Sequence, residues 1–425
     1  MLYFCSRVSK IETKVKYKTY RLSNGLRIVQ APSLSKVVYC GYVLNAGTRD
    51  EGEDQLGMAH FVEHLIFKGT THRKAWHILN RMERVGGDLN AFTNKEETTV
   101  YSTFLAEHFS RAAELLTDIV FHSTFPQTEI DREVEVIIDE IQSYQDSPSE
   151  QIFDDFEELV FRGHPLGRNI LGVPEQLRTF STTQALQFTS RYYKPDNAVF
   201  FLWGNIDLKQ IVRTLERLTA DLSFFSENIV LDRQSREAPG DYFPQQMEVR
   251  RATHQAHVIL GTRAYHAYDE RRTALYLLNN ILGGPGMNSR LNVSLRERRG
   301  LVYGVESNLT SYTDSGLFSI YFGTDSEDVS QCLDLVYREL RELREKGLSA
   351  IQLAAAKKQI IGQIAISADN SENMAMDLGK SFLHYDRFDS IENLFSRIEA
   401  LTSSQLLQVA NEILDENNLS TLIYI

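Results

Sequence analysis

The residues with the plainest chemistry are His60, Glu63 and His64, in the run Leu56-Gly57-Met58-Ala59-His60-Phe61-Val62-Glu63-His64-Leu65-Ile66-Phe67-Lys68-Gly69. No proline interrupts this stretch, and Leu56, Ala59, Phe61, Val62, Leu65 and Ile66 give it the apolar surface of a buried helix. Gly69 is placed to end the helix, with Lys68 beside the negative end of its dipole. On such a helix His60 and His64 project from one face, and Glu63 lies close to the same face. This is H-x-x-E-H, the inverse of H-E-x-x-H. It offers the same chemistry: two neutral nitrogen ligands for zinc, and a carboxylate base for a water that the metal acidifies. The plainer reading is a chance pattern on an ordinary helix. Two histidines on a helix this apolar need partners, which favours the metal.

A catalytic zinc usually takes a third protein ligand from another element. Residues 127–144 predict a helix with a buried stripe of Ile130, Val134, Ile137 and Ile141. Glu133 and Glu140 lie along one edge of that stripe, where a carboxylate needs a metal, a base or a donor. The alternative is that both reach solvent, as expected of Glu129, Glu135 and Asp139. Spacing alone does not choose between Glu133 and Glu140.

Several elements must position these groups. Ser23-Asn24-Gly25 is a hairpin signal joining strands over 17–22 and 26–30. A strand-like run, 37–45, leads through Ala46-Gly47-Thr48-Arg49-Asp50-Glu51 into the histidine helix. A helix over 74–85 ends at Gly86-Gly87, and strands over 88–93 and 98–104 flank the connection Asn94-Lys95-Glu96-Glu97. Helices over 106–122 and 183–193 and an apolar strand, 198–203, complete the first half. Asn90-Ala91-Phe92-Thr93 reads equally as an internal strand or as a sheet edge that accepts an extended peptide. Asp154, Asp155, Glu157 and Glu158 read as a solvated helix face, or as a surface favouring basic peptides.

The segment from Thr183-Gln184-Ala185-Leu186-Gln187-Phe188 to Phe200–Trp203 resembles that from Ser404-Gln405-Leu406-Leu407-Gln408-Val409 to Thr421–Tyr424, at a constant offset of 221 residues. So long a period signals a duplicated domain. Residues 226–246 are polar, hold Pro239-Gly240 and Pro244, and read as a linker. The expected organisation is therefore α+β: two homologous domains, each a mainly antiparallel sheet packed with helices. The first, 1–225, carries the metal; the second spans 247–425.

With 425 residues the chain is too long for one core, and 42% hydrophobic with 24% charged residues is a soluble globular balance. A net charge of −12 argues against nucleic acid and anionic membranes as partners. Cys5, Cys40 and Cys332 are far apart and imply no disulfide framework, which suits a reducing, cytoplasmic setting. No run approaches signal-peptide or membrane-span character.

Taken together, His60-Phe61-Val62-Glu63-His64 and the later Glu133-Val134-Glu135-Val136-Ile137-Ile138-Asp139-Glu140 resemble the pitrilysin and mitochondrial processing peptidase family, in its half-length, two-domain form. Gly47-Thr48-Arg49-Asp50-Glu51, Gly87-Asp88-Leu89-Asn90-Ala91-Phe92-Thr93 and His164-Pro165-Leu166-Gly167 extend the resemblance over nearly the whole chain. It implies one Zn²⁺ held by His60, His64 and Glu140, with Glu133 as the residue that orients the site and Glu63 as general base. It also makes Asn90, Ala91, Phe92 and Thr93 the substrate-binding edge. The second half has no H-x-x-E-H; Leu277-Leu278-Asn279-Asn280-Ile281-Leu282-Gly283-Gly284-Pro285-Gly286 stands where the zinc helix would fall. Its Leu295-Arg296-Glu297-Arg298-Arg299-Gly300-Leu301-Val302-Tyr303 resembles the family's Arg–Tyr pair, which implies that Arg296 holds substrate carbonyls and Tyr303 donates to the oxyanion. The implied activity is zinc-dependent endopeptidase action on an extended peptide or unfolded polypeptide in an enclosed chamber. Because zinc motif and Arg–Tyr pair occur in one chain, the implied assembly is a homodimer with shared sites. The alternatives are a non-catalytic structural subunit and a peptide-binding module, neither of which needs Glu63.

Overall fold

A computed structural model describes residues 17–222, 236–251 and 253–425. Strands β1 (Lys18–Arg21), β2 (Arg27–Ala31), β3 (Val37–Leu44), β4 (Asp88–Thr93), β5 (Thr98–Leu105) and β6 (Ala198–Trp203) form one sheet, in the order β1-β2-β6-β3-β5-β4. Strands β7 (Gln246–Val249), β8 (Ala256–Ala264), β9 (Val302–Ser311), β10 (Gly316–Thr324) and β11 (Ser420–Tyr424) form the other, in the order β7-β11-β8-β10-β9. Leaving β1 aside, the two sheets have the same topology. Only β2/β6 and β7/β11 run parallel; every other pairing is antiparallel. The 221-residue repeat falls on equivalent strands: Trp203 of β6 pairs with Tyr39 of β3, and Tyr424 of β11 with His257 of β8.

Each half of the chain lends a helix to the other's sheet. Helix Ser371–Tyr385 lies on β2, β3 and β6, where Met374, Ala375, Leu378, Phe382 and Leu383 are buried against Val29, Val43, Val199 and Phe201. A Cβ on Gly379 would stand 2.7 Å from Phe201 and 2.8 Å from Val43, so only glycine admits this approach. Reciprocally, helix Pro148–Val160 lies on β8 and β11, where Ile152, Phe156 and Leu159 join Ile259, Leu422 and Tyr424. Fully burying a Leu or Phe is worth roughly 1.5–3 kcal/mol, so each sheet's second face depends on the opposite half of the chain.

The acidic face expected to be solvated on the helix Pro148–Val160 is mostly occupied. Asp155 accepts from Tyr424 and pairs with Arg251, Glu157 pairs with Lys95 and Tyr312, and Asp154 accepts from Asn169. Only Glu158 of the four is exposed. The cause is the sheet packed on this helix, which brings cations and phenols from the second half.

Residues 226–235 of the expected linker lie outside the described residues, as does Cys5. Residues 236–245 form no helix or strand, and β7 begins at Gln246. Arg236 is nonetheless fixed by Asp50 and Glu96. Cys40 and Cys332 are buried and unpaired. Among the described residues no helix is long and apolar enough to cross a membrane.

Candidate metal centre

The motif helix is Met58–Leu65, shorter than the apolar run that predicts it. Gly57 precedes it at φ 92°, and a Cβ there would meet the backbone of Leu171 and Gly172 at 2.8 Å. The orphan N–H groups of its first turn are met by one side chain: Glu51 accepts from Gly57 N at 2.9 Å and from Ala59 N at 2.8 Å. Burial pushes the Glu51 carboxyl up to about 8, against the pull of those two donors. The sequence reading included Glu51 only in the motif match; its capping role depends on a backbone reversal that no local period reveals.

The helix packs on the helix Gln127–Gln145 and on β4, the edge strand of the first sheet. This packing brings His60, His64 and Glu140 together, with one donor atom from each within 4.8 Å of the others. His64 Nδ1 donates to Glu133 Oε1 at 3.1 Å, which leaves Nε2 facing Glu140 Oε2 at 3.8 Å. Lys68 Nζ holds the other oxygen of Glu133 at 2.7 Å. Lys68 therefore does more than sit at the negative end of the helix. It locks the carboxylate that orients His64.

The electrostatics sort these groups. Burial, helped by neighbouring His64, presses His60 down to about 3, so its imidazole stays neutral with a free lone pair. Burial also lowers His64, but the Glu133 hydrogen bond and the carboxylates of Glu63, Glu133 and Glu140 outweigh it and hold His64 above its ordinary value. Burial would raise Glu133, yet His64 and Lys68 keep it below the usual carboxylate range. Glu63, 8% exposed, is pushed up by burial, against Thr93 and His64. His60 Nδ1 and Glu63 Oε2 are buried with no hydrogen-bond partner among the described residues. Two imidazoles and a carboxylate, with a second carboxylate orienting one imidazole, are the donor set of a catalytic zinc, which would displace any proton on His64 Nε2. The residues fit that ion.

Beside the cluster, β4 is paired among the described residues only with β5, and Asp88, Asn90 and Phe92 turn outward while Thr93 is buried. Asn90, Ala91, Phe92 and Thr93 are thus on a sheet edge next to the motif helix. Arg296 ends a π-helical stretch, Asn292–Glu297, and Tyr303 follows in β9, the edge strand of the second sheet. Tyr303 is 83% exposed. No hydrogen bond or ion pair joins either side chain to His60, Glu63, His64, Glu133 or Glu140. Within one chain the structure does not bring the Arg–Tyr pair to the metal cluster.

Comparison with known proteins follows this division. Residues 27–173 match the family model described as "Insulinase (Peptidase family M16)", and residues 179–360 match "Peptidase M16 inactive domain". The uncharacterized zinc protease YmxG of Bacillus subtilis is 31% identical over 408 residues, covering 96% of this chain and 98% of that one. The chain belongs to peptidase family M16. An uncharacterized zinc protease of Mycobacterium leprae is 32% identical, with 93% of this chain and 88% of that protein covered. Two crystal structures share the M16 fold over 96% of this chain: a peptidase M16 inactive domain from Pseudomonas fluorescens (TM-score 0.88, 20% identity, 97% of its chain) and a protease from Helicobacter pylori (TM-score 0.86, 21% identity, 99% of its chain). The resemblance drawn from the motifs is thereby established at the level of the family. The model described as inactive falls on the stretch that lacks H-x-x-E-H.

Proposed function

We propose that this M16 chain is a zinc-dependent endopeptidase acting on peptides bound in extended form. The observation that carries the reading is the cluster of His60, His64 and Glu140, with the buried atoms His60 Nδ1 and Glu63 Oε2 left without partners among the described residues, beside a sheet edge. An unpaired buried polar atom costs about 1–3 kcal/mol, and a bound ion and a substrate water would relieve that cost.

Zinc bound by His60, His64 and Glu140 would act as a Lewis acid on the scissile carbonyl and on water. Glu133, anchored by Lys68, keeps the His64 Nδ1 proton in place, so that the opposite nitrogen is the ligand. Glu63 Oε2 takes the proton of the attacking water and passes it to the leaving amine. The burial that raises the Glu63 carboxyl suits both roles, because it makes the carboxylate a better base. Asn90 to Thr93 on β4 would receive the peptide as an added strand, with main-chain hydrogen bonds supplying affinity. Arg296 and Tyr303 complete the site from a second copy in a two-fold homodimer, where Tyr303 donates to the developing oxyanion.

Two measurements test this. Purified protein should hold zinc at the His60, His64 and Glu140 centre, at least one ion per chain, and cleave a quenched peptide mixture, with activity lost on chelation and regained on adding zinc. A metal-loaded but inert protein would overturn the enzyme reading. For the shared sites, His60→Ala and Tyr303→Phe subunits, each inactive, are mixed and allowed to exchange. Mixed dimers then contain one intact site, and activity should return to about a quarter of wild type at full random exchange. Sites built within one chain would stay dead at every ratio.

A further inference from the structure

A second group of metal-ligand side chains stands outside the H-x-x-E-H centre. His72, Asp118 and His122 each offer one donor atom, all within 4.8 Å of one another. His72 lies in the turn that follows the motif helix, and Asp118 and His122 lie at the end of the helix Phe109–Phe121. The backbone holding them is fixed: Thr70 bridges to Ser123, and Thr71 N donates to His122 O at 2.9 Å. Asp118, 4% exposed, uses one oxygen on the structure, where Oδ2 accepts from Thr70 Oγ1 at 2.9 Å and from Arg73 at 2.5 Å. Its other oxygen, Oδ1, meets His72 Nδ1 at 2.7 Å.

The decisive residue is His122. Its Nε2 pairs with Asp221 Oδ2 at 3.0 Å, while Nδ1 is buried with no hydrogen-bond partner among the described residues. A carboxylate on one ring nitrogen draws the proton there and leaves the lone pair of the other for a metal, the arrangement of an oriented imidazole ligand. A cluster built only for hydrogen bonding would not leave that nitrogen unused.

We propose that His72, Asp118 and His122 bind a second divalent transition-metal ion, with Asp221 orienting His122. Two imidazoles and one carboxylate select zinc, cobalt, nickel or copper over magnesium or calcium, which prefer all-oxygen sites. Ligand atoms about 2.1 Å from one ion lie roughly 3–4 Å apart, so the widest pair need close by no more than on the order of 1 Å. His72, whose side chain is 60% exposed, is free to make that move. The ion takes the place of the proton between His72 Nδ1 and Asp118 Oδ1, and the exposed Nε2 of His72 carries the ring's one proton, so His72 binds as a neutral imidazole. The exposed side of His72 leaves positions for water. An ion here would join the turn after the motif helix to the end of Phe109–Phe121, and Asp221 ties it to the segment after helix Leu208–Leu218.

The test uses the full chain with His60→Ala and His64→Ala, which removes the H-x-x-E-H centre. Equilibrium dialysis against micromolar Zn²⁺ or Co²⁺ should leave one ion per chain and raise the unfolding midpoint. Adding His72→Ala or His122→Ala should weaken that ion at least tenfold and abolish the rise. His72→Gln, exposed and able to keep a hydrogen bond to Asp118, serves as the variant least able to disturb the fold, and its metal-free melting should match the parent. The proposal fails if the parent variant retains no ion, or if retention is unaffected by His72→Gln and His72→Ala. Neither failure touches the peptidase reading, which the first ion of the wild-type protein tests.

Discussion

The helix-and-edge-strand junction occurs twice in this molecule, once as Met58–Leu65 against β4 and once as Arg272–Gly283 against β9. The strands around the two junctions share one topology. In the first, buried residues of the helix include His60 and Glu63. In the second they are Ala274, Leu275, Leu277, Leu278, Asn279, Asn280, Leu282 and Gly283, none of which ionises. There the helix is stitched to β9 by neutral groups: Asn279 Nδ2 donates to Ser307 O, and Ser307 Oγ to Asn279 O. One backbone thus supports a charged, underpaired junction and a neutral, stitched one. The scaffold does not decide the chemistry; the side chains set into it do. The second junction carries the exposed Tyr303 instead, and under the proposed shared site the duplicate halves would divide the labour.

The comparison breaks first at Glu63. Glu63→Gln should keep zinc, since the three ligands are untouched, while turnover falls by several orders of magnitude. Near-normal peptide hydrolysis by the zinc-loaded variant would mean that Glu63 is not the base. Next comes Tyr303→Phe, which removes one oxyanion donor and should lower turnover by about 10²–10³ while zinc content stays at the wild-type level. If turnover is unchanged, the second junction has no catalytic share. The third effect is smaller and separates ligand from support. Glu133→Gln should weaken zinc by roughly 10–100-fold, and Glu140→Gln should weaken it more. Metal titration of both variants reads the ranking, and the reverse order would exchange their roles.

How much of this was legible in the chain follows from the range of the interactions. His60, Glu63 and His64 declare themselves because helical spacing is local, and the repeat is visible because β6 and β11 kept their apolar pattern. The choice of Glu140 as ligand and Glu133 as support needed a family resemblance, since both stand on one stripe edge; in the fold Glu133 is the one held by His64 and Lys68. The exchanged helices were not legible, because what covers a sheet is chosen by partners well over a hundred residues away. Nor was the turn Lys95-Glu96-Glu97. The sequence marks it only as a connection between strands, yet each residue is at most 5% exposed. Charge predicts exposure only until distant partners supply counter-charges. Here Glu157 meets Lys95, Arg49 and Arg236 meet Glu96, and Lys380 and His384 meet Glu97.

That turn sets the smallest and most specific expectation. It follows β4, and its counterpart after β9 lies against it: Thr313 donates to Glu96, and Asp314 pairs with Arg49. The first-half turn buries three charges where the second presents Tyr312, Thr313, Asp314 and Ser315, so acid should act through the first. Burial alone would raise Glu97, but its hydrogen bond with His384 and the charge of Lys380 prevail and hold its carboxyl well below the ordinary 4.5. A depressed folded pKa means that the unfolded chain takes up the proton first as pH falls. The stabilisation is therefore fully present above about pH 4.5 and drains away below it, by up to about 1.4 kcal/mol per pH unit for the one proton involved. Glu97→Gln lacks that proton. Urea unfolding of metal-free wild type and Glu97→Gln, from pH 6.5 to pH 3, should show the variant less stable at the upper end and the gap closing only below about pH 4.5. A gap that stays constant with pH would mean that Glu97 stabilises the interface by shape and neutral hydrogen bonding. The first-half turn would then be no more sensitive to acid than its counterpart after β9.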